Sequence, residues 1–277
     1  MNHNMKKKNT QEENNISLSG KVIDKETIVK NWLPRYTGMP LEMFKKHILL
    51  VNFKHYLKSF SEHYNVQIYG EDKAMQVASY DDITIINFGM GSANAATVMD
   101  LLTAIKPKAC LFLGKCGSLK DKISVGSLLL PIGAIRGEGT SNDYFPEVVP
   151  ALPAFQLQRA VSHIIKRYEQ EYFTGTIYTT NRRVWEHDED FKKKLHDMRA
   201  TAIDMETATI FITGFHNDIP TGALLLVSDQ PMTPEGIKTE NSDKAVTGNF
   251  SLLHLKIGMD SLKQIRDSGE SVKHLKY

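Results

Sequence analysis

Short apolar runs alternate along this chain with longer amphipathic or polar stretches. His47-Ile48-Leu49-Leu50-Val51-Asn52-Phe53 is dominated by apolar residues and has the length of a strand covered on both faces. Ile83 to Phe88, Ala109 to Leu113, Val125 to Pro131, Phe173 to Thr180 and Pro220 to Val227 repeat the pattern. Val66 to Tyr69 and Ala74 to Ser79 predict two shorter strands around the turn Gly70-Glu71-Asp72. Between them, amphipathic stretches closing near His63, Leu102, Tyr168, Met198 and Arg266 read as helices. This alternation predicts an α/β fold: a single domain with a mostly parallel central sheet and helices on both sides. Ligands of such sheets bind at the C-terminal ends of the strands.

The chain's beginning is different. Met1 to Gly20 is polar and rich in Asn and Lys, which predicts a disordered segment (1–20) ahead of one folded domain (21–277). Lys21 to Asn31 reads as a short helix ended by Pro34, and Trp32 to Gly38 as a loop that mixes an aromatic, a guanidinium and a glycine.

Composition narrows the function classes. Of 277 residues, 41% are hydrophobic and 24% charged, as in an ordinary soluble domain. The net charge of +2 implies no polyanion-binding field, so no nucleic-acid partner is expected. No apolar run is long enough to span a bilayer. Cys110 and Cys116 are too few and wrongly spaced for a disulfide framework, which points to a reducing cytoplasm. No metal-ligand spacing is visible, so no metal or other cofactor is expected.

The chemistry gathers where strands end. Ala202-Ile203-Asp204-Met205-Glu206-Thr207-Ala208 reads as a strand end entering a buried helix with two carboxylates, costly to bury unless paired. Glu206 suits the hydroxyls of a ribose, and Met205 is soft enough to lie against a sugar or base. The structural alternative has Asp204 capping the helix and Glu206 in its first turn. Gly89-Met90-Gly91-Ser92 joins a strand to a small-residue helix, a polar-ligand site without the third glycine of a dinucleotide fingerprint. Gly114-Lys115-Cys116-Gly117-Ser118 reads as a second glycine turn at a strand end, with Lys115 a point charge for a phosphate. Ile135 to Phe145 and Asn181 to Glu186 read as functional loops that carry Arg136, Arg182 and Arg183. Ser228-Asp229 ends the last strong strand at the same crevice. For each arginine, a solvated face or structural ion pair is the competing reading.

Gly114-Lys115-Cys116-Gly117, Asp204-Met205-Glu206 and Ser228-Asp229, in this order, resemble the signature of the nucleoside phosphorylase superfamily, whose fold is a three-layer α/β/α sandwich. Phe88 to Ser92, Ile135 to Tyr144, Thr179 to Glu186 and Pro231 to Thr239 are further similar to the catalytic domain of the AMP nucleosidases, over about Leu33 to Leu262. The resemblance implies hydrolysis of AMP to adenine and ribose 5-phosphate. Asp229 would give a proton to the purine N7, and Glu206 would grip the ribose. Gly91, Gly114 and Lys115 would lie at the substrate, with Met205 along the sugar and Tyr178 stacked on adenine. One or more of Arg35, Arg136, Arg182, Arg183 and Lys238 would hold the 5′-phosphate. It also implies a homo-oligomer, a hexamer built from dimers, in which Arg35 and Arg136 reach a neighbouring subunit. The regulatory domain of the larger bacterial enzymes, and its response to ATP, are expected to be absent. The alternatives are a purine or uridine phosphorylase that uses inorganic phosphate, and a catalytically silent nucleotide-binding protein. Phe112 stands where a phosphorylase has its strand-end phosphate arginine, and Asn52-Phe53 replaces the phosphate turn after the first strand. Without those cations a phosphate dianion is poorly compensated, which favours water as nucleophile.

Overall fold

The computed structural model describes residues 23–268. The expected disorder of 1–20 lies outside them. Strands β1 (His47–Val51), β3 (Ile83–Asn87), β4 (Ala109–Ser118) and β8 (Thr221–Asp229) form the parallel heart of the sheet. β2 (Gln76–Tyr80) closes one edge antiparallel to β3. β5 (Leu128–Gly137) pairs antiparallel with β8 and parallel with β6 (Tyr172–Thr180), and β6 is parallel to β7 (Ala202–Asp204). The sheet is therefore mixed: five of its eight pairings are parallel. β7 returns antiparallel to Gly117 and Ser118 of β4. As a result β4, β8, β5, β6 and β7 pair in a closed circuit, which abolishes edges there.

Alternate strand residues face opposite layers, as the pleat requires. Ile48, Leu50, Phe112 and Leu225 pack with α1 (Lys25–Thr37), α3 (Ser92–Leu102) and α6 (Thr207–His216). Leu49, Val51, Leu111 and Leu224 pack with α2 (Lys54–Tyr64), α4 (Phe155–Arg167) and α7 (Glu240–Ser268). A third cluster, with Tyr178, Trp185, Leu195 and Ile203, lies under α5 (Glu189–Asp197).

Three local readings are corrected. α1 does not stop at Pro34 but continues to Thr37, so Trp32 to Gly38 is mostly helix. The ring costs one hydrogen bond, to the carbonyl of Lys30. Burial of Val29, Leu33 and Thr37 outweighs that loss, and Gly38 closes the helix in the left-handed region with its N–H donating to Pro34 O at 2.7 Å. Gly114 to Ser118 is no turn: β4 continues through it, with a register shift at Cys116/Gly117, since β8 on one side and β7 on the other take up its backbone groups. Val66 to Tyr69 makes only a bridge, Tyr69 to Val77.

Candidate active site

β7 is three residues long and its end is held on every side. Asp204 caps α6: Thr207 donates to Oδ2 from its N–H at 2.8 Å and its hydroxyl at 2.5 Å, and Thr179 Oγ1 donates to Oδ1 at 2.7 Å. The capping reading holds for Asp204 but not for Glu206. Buried at 2% exposure, Glu206 turns away from α6 and accepts the Gly91 N–H at 2.7 Å. Gly91 has φ 94°, a region that favours glycine, and it opens α3. Ser92 Oγ donates to Met205 O at 2.6 Å, so the turns after β3 and β7 are tied together, and Met205 is half-buried. The Asn52 side chain, just past β1, lies near Glu206 and favours its charged form.

Two buried carboxylates this close cannot both ionise cheaply. Burial raises both. The three donors around Asp204 favour its charged form, so the proton falls to Glu206. Burial first, and then the Asp204 charge, push Glu206 up to about 8.

Asp229 ends β8 beside this turn. Gly117 of β4 pairs with Ile203 on one side and Asp229 on the other, so the ends of β7 and β8 flank the end of β4. A Cβ on Gly117 would lie 3.2 Å from Asp229 Oδ2 and 2.8 Å from the Pro231 ring, which requires glycine there. Ser228 Oγ donates to Asp229 Oδ1 at 2.5 Å, and Lys238 Nζ lies 3.7 Å from the same oxygen. Lys238 is thereby placed at the acid.

Lys115 is placed otherwise than the sequence suggested. Its ammonium is buried and donates to Asp243 Oδ1 and Thr247 Oγ1, each at 2.8 Å. Burial lowers its basicity, against the pull of Asp243. Burial alone would raise Asp243, but Lys115 and Lys238 outweigh it and hold that carboxyl below its usual range. Lys115 is thus one half of an internal ion pair, not a free point charge. Gly114, on the same strand, is buried in the sheet.

The arginines separate. Arg136 places all five N–H donors inside the chain: Nε on Ser141 Oγ, Nη1 on the carbonyls of Pro146 and Val149, Nη2 on Asn142 Oδ1 and the Phe145 carbonyl. It clamps its own loop and has nothing left for a phosphate or a neighbouring subunit. Arg136→Lys keeps the charge and loses the fork, leaving carbonyls without donors. A loss of about 2 kcal/mol is expected, read as a lower denaturation midpoint with unchanged slope. Arg182 is half-exposed and pairs with Asp188 at 2.5 Å, and Arg183 with Glu186 at 3.3 Å. Arg35 is exposed on the last turn of α1. Tyr178 is also corrected. Its ring lies against Gly137 and 5.7 Å from the Phe191 ring at 4% exposure, so it is part of the third core cluster and offers no face for a base.

The structure adds unpartnered polar atoms, one of them on Asn52, which the sequence marked only as a departure from the phosphorylase turn. Asn52 Oδ1, Asn87 Oδ1 and His55 Nε2 are buried polar atoms without a hydrogen-bond partner among the described residues. Such atoms are rare in native interiors and mark places where a ligand or water completes the bonding. Asn52 and Asn87 each close an apolar strand, which is their sequence signal; His55 lies in the first turn of α2 and had none. Glu138, whose side chain accepts from the N–H groups of Gly139 and Ser141 and from Thr209 Oγ1, holds the Arg136 loop onto α6. Among the described residues no group of three His, Cys, Asp or Glu side chains is placed to hold a metal ion, and no helix is long and apolar enough to cross a membrane.

Residues 46–254 match the family model described as the phosphorylase superfamily. AMP nucleosidase of Escherichia coli (strain K12) is 28% identical over 284 residues, covering 86% of this chain. The chain spans only 58% of that relative's length. A solved structure of AMP nucleosidase from Bacteroides thetaiotaomicron is 54% identical, with a TM-score of 0.81, covering 89% of this chain and 99% of its own. A purine nucleoside phosphorylase from Toxoplasma gondii, 19% identical with a TM-score of 0.72, covers 82% of this chain and 95% of its own and shares the fold.

Proposed function

Because the chain belongs to the phosphorylase superfamily, we propose that its strand-end site hydrolyses the N-glycosidic bond of AMP, giving adenine and ribose 5-phosphate. The observation that carries the reading is the pair of acids flanking the end of β4: Glu206, held by Gly91 and near Asn52, and Asp229, held by Ser228 and Lys238. The likeness to AMP nucleosidases along most of the chain supports the nucleotide as substrate.

N-glycosidic cleavage passes through an oxocarbenium-like transition state, with electrons moving onto the departing base. Asp229 gives a proton to N7 as the C1′–N9 bond breaks, so adenine leaves neutral. Glu206 accepts hydrogen bonds from the ribose hydroxyls, and Met205 lies along the sugar. A water oxygen bonds to C1′, and the proton it loses passes through solvent to restore the acid form of Asp229. Phe112 supports water over phosphate as nucleophile: where a phosphorylase carries an arginine, this side chain is buried and packs 5.8 Å from the Phe88 ring. With Arg136 occupied, Arg35, Arg182, Arg183 and Lys238 are the basic residues for the 5′-phosphate. We further propose a cytoplasmic homohexamer in which Arg35 reaches a neighbouring subunit.

Incubation with AMP should release free adenine on a chromatogram. Adenosine lacks the charge-assisted contacts to phosphate, so its kcat/KM should be about 10–100-fold lower. Equal efficiency for the two would sink the nucleotide reading. Dependence of turnover on inorganic phosphate would favour the phosphorylase alternative.

A further inference from the structure

Lys115 and Asp243 stand 128 positions apart in the chain, yet they meet in the corner between β4, α2 and the first turn of α7. The Lys115 ammonium, its side chain 1% exposed, donates to Asp243 Oδ1 and Thr247 Oγ1 and lies 4.8 Å from the centre of the Phe53 ring. Asp243 Oδ1 faces a second cation as well: Lys238 Nζ, 3.5 Å away, which also approaches Asp229. One carboxylate thus answers two ammoniums, one of them enclosed.

The other polar groups of this corner are neutral. Burial, and then the Lys115 charge, push His55 down to about 4, so its imidazole is uncharged near neutral pH. His55 Nε2 and the amide oxygen Asn52 Oδ1 are buried and unpartnered among the described residues. A small neutral molecule that both donates and accepts fits such groups. A phosphate dianion fits them poorly, because it has a single O–H to donate and its two charges need uncompensated positive charge to leave water.

We propose that Asp243 determines the nucleophile: by holding the Lys115 ammonium it keeps inorganic phosphate out of the corner beside the scissile bond and leaves that place to water. The inference rests on the AMP hydrolysis proposed above. It makes Asp243 a specificity-determining residue that touches neither substrate nor leaving group. Replacing its carboxylate by an amide leaves a buried ammonium without its counter-charge, and an entering anion supplies one. Were phosphate to react there, its oxygen would bond to C1′ as C1′–N9 breaks, adenine would take its proton from Asp229, and the sugar product would be ribose 1,5-bisphosphate.

The test is calorimetric titration of inorganic phosphate into the ligand-free parent, Asp243→Asn and Asp243→Ser, followed by ³¹P NMR of the sugar product from AMP with phosphate present. A charge-assisted contact of this kind should make phosphate binding at least about tenfold tighter in Asp243→Asn, and adding Lys115→Met should abolish the gain. Ribose 1,5-bisphosphate from Asp243→Asn and not from the parent would support the inference further. Phosphate affinity within about twofold of the parent in a variant with native circular dichroism would overturn it. So would a gain that survives Lys115→Met, which would move the anion site to Lys238. Failure of the parent to release adenine from AMP would instead remove the AMP reading, while the titration would still decide whether Asp243 closes the corner.

Discussion

Asp229→Asn is expected to lower kcat on AMP by ~10²–10⁴-fold while AMP binding changes little, the range typical of a lost general acid. The amide keeps the shape of the side chain and still accepts the Ser228 hydroxyl, which lies 2.5 Å from Asp229 Oδ1. It cannot deliver a proton, so adenine must leave as an anion. The measurement is steady-state kinetics of adenine release, with an independent arm in 7-deaza-AMP, which carries carbon in place of N7. That analogue should be turned over slowly by parent and variant alike. Turnover by Asp229→Asn within about threefold of the parent, far below the general-acid range, would mean that Asp229 is not the proton donor.

Glu206→Gln should behave differently, because the ribose hydroxyls are held in the ground state as well as the transition state. Exchanging a carboxylate acceptor for an amide is expected to cost kcat/KM about 10–100-fold, with KM and kcat both affected. The pH response gives a second signature. In the free protein Glu206 keeps its proton up to about 8, and the ionised form is the better acceptor for two hydroxyls. Affinity for AMP should therefore rise as pH passes through that value in the parent and stay flat in Glu206→Gln. Stability moves the opposite way. An acid whose folded value lies above its ordinary 4.5 binds its proton more tightly when folded, so its contribution is complete below 4.5 and fades as pH climbs towards 8. The parent should thus lose more melting temperature between pH 6 and about 9 than Glu206→Gln does. A parent whose AMP affinity and melting temperature follow the same pH course as the variant's would show that Glu206 is not the titrating group.

Local pattern was enough to place most elements. The apolar runs at His47, Ile83, Ala109 and Pro220 became strands with alternate residues in two layers, because burial on both faces leaves a mark in composition that needs no partner to be read. Glu206, Asp229 and Gly91 were expected at strand ends facing one crevice, and the structure puts Asp229 at the end of β8 and Glu206 on the Gly91 N–H. The likeness to the phosphorylase superfamily rested on those same strand ends.

What the sequence could not decide were the pairings between distant residues. Whether Lys115 is a free cation depends on Asp243, and whether Arg136 is free depends on carbonyls at Phe145, Pro146 and Val149 that any residue type would offer. Tyr178 reads as a stacking ring until Gly137 and Phe191 are found against it. Pro34 reads as a helix stop until the burial of Leu33 is known, and Gly114 to Ser118 as a turn until β7 and β8 are seen on its two sides. The proton on Glu206 belongs to the same class, since it follows from the three donors that keep Asp204 charged. Hydrophobic burial is a property of each residue and its period, so it is written locally. Hydrogen-bond and charge compensation are properties of pairs, and only the folded chain chooses the partners.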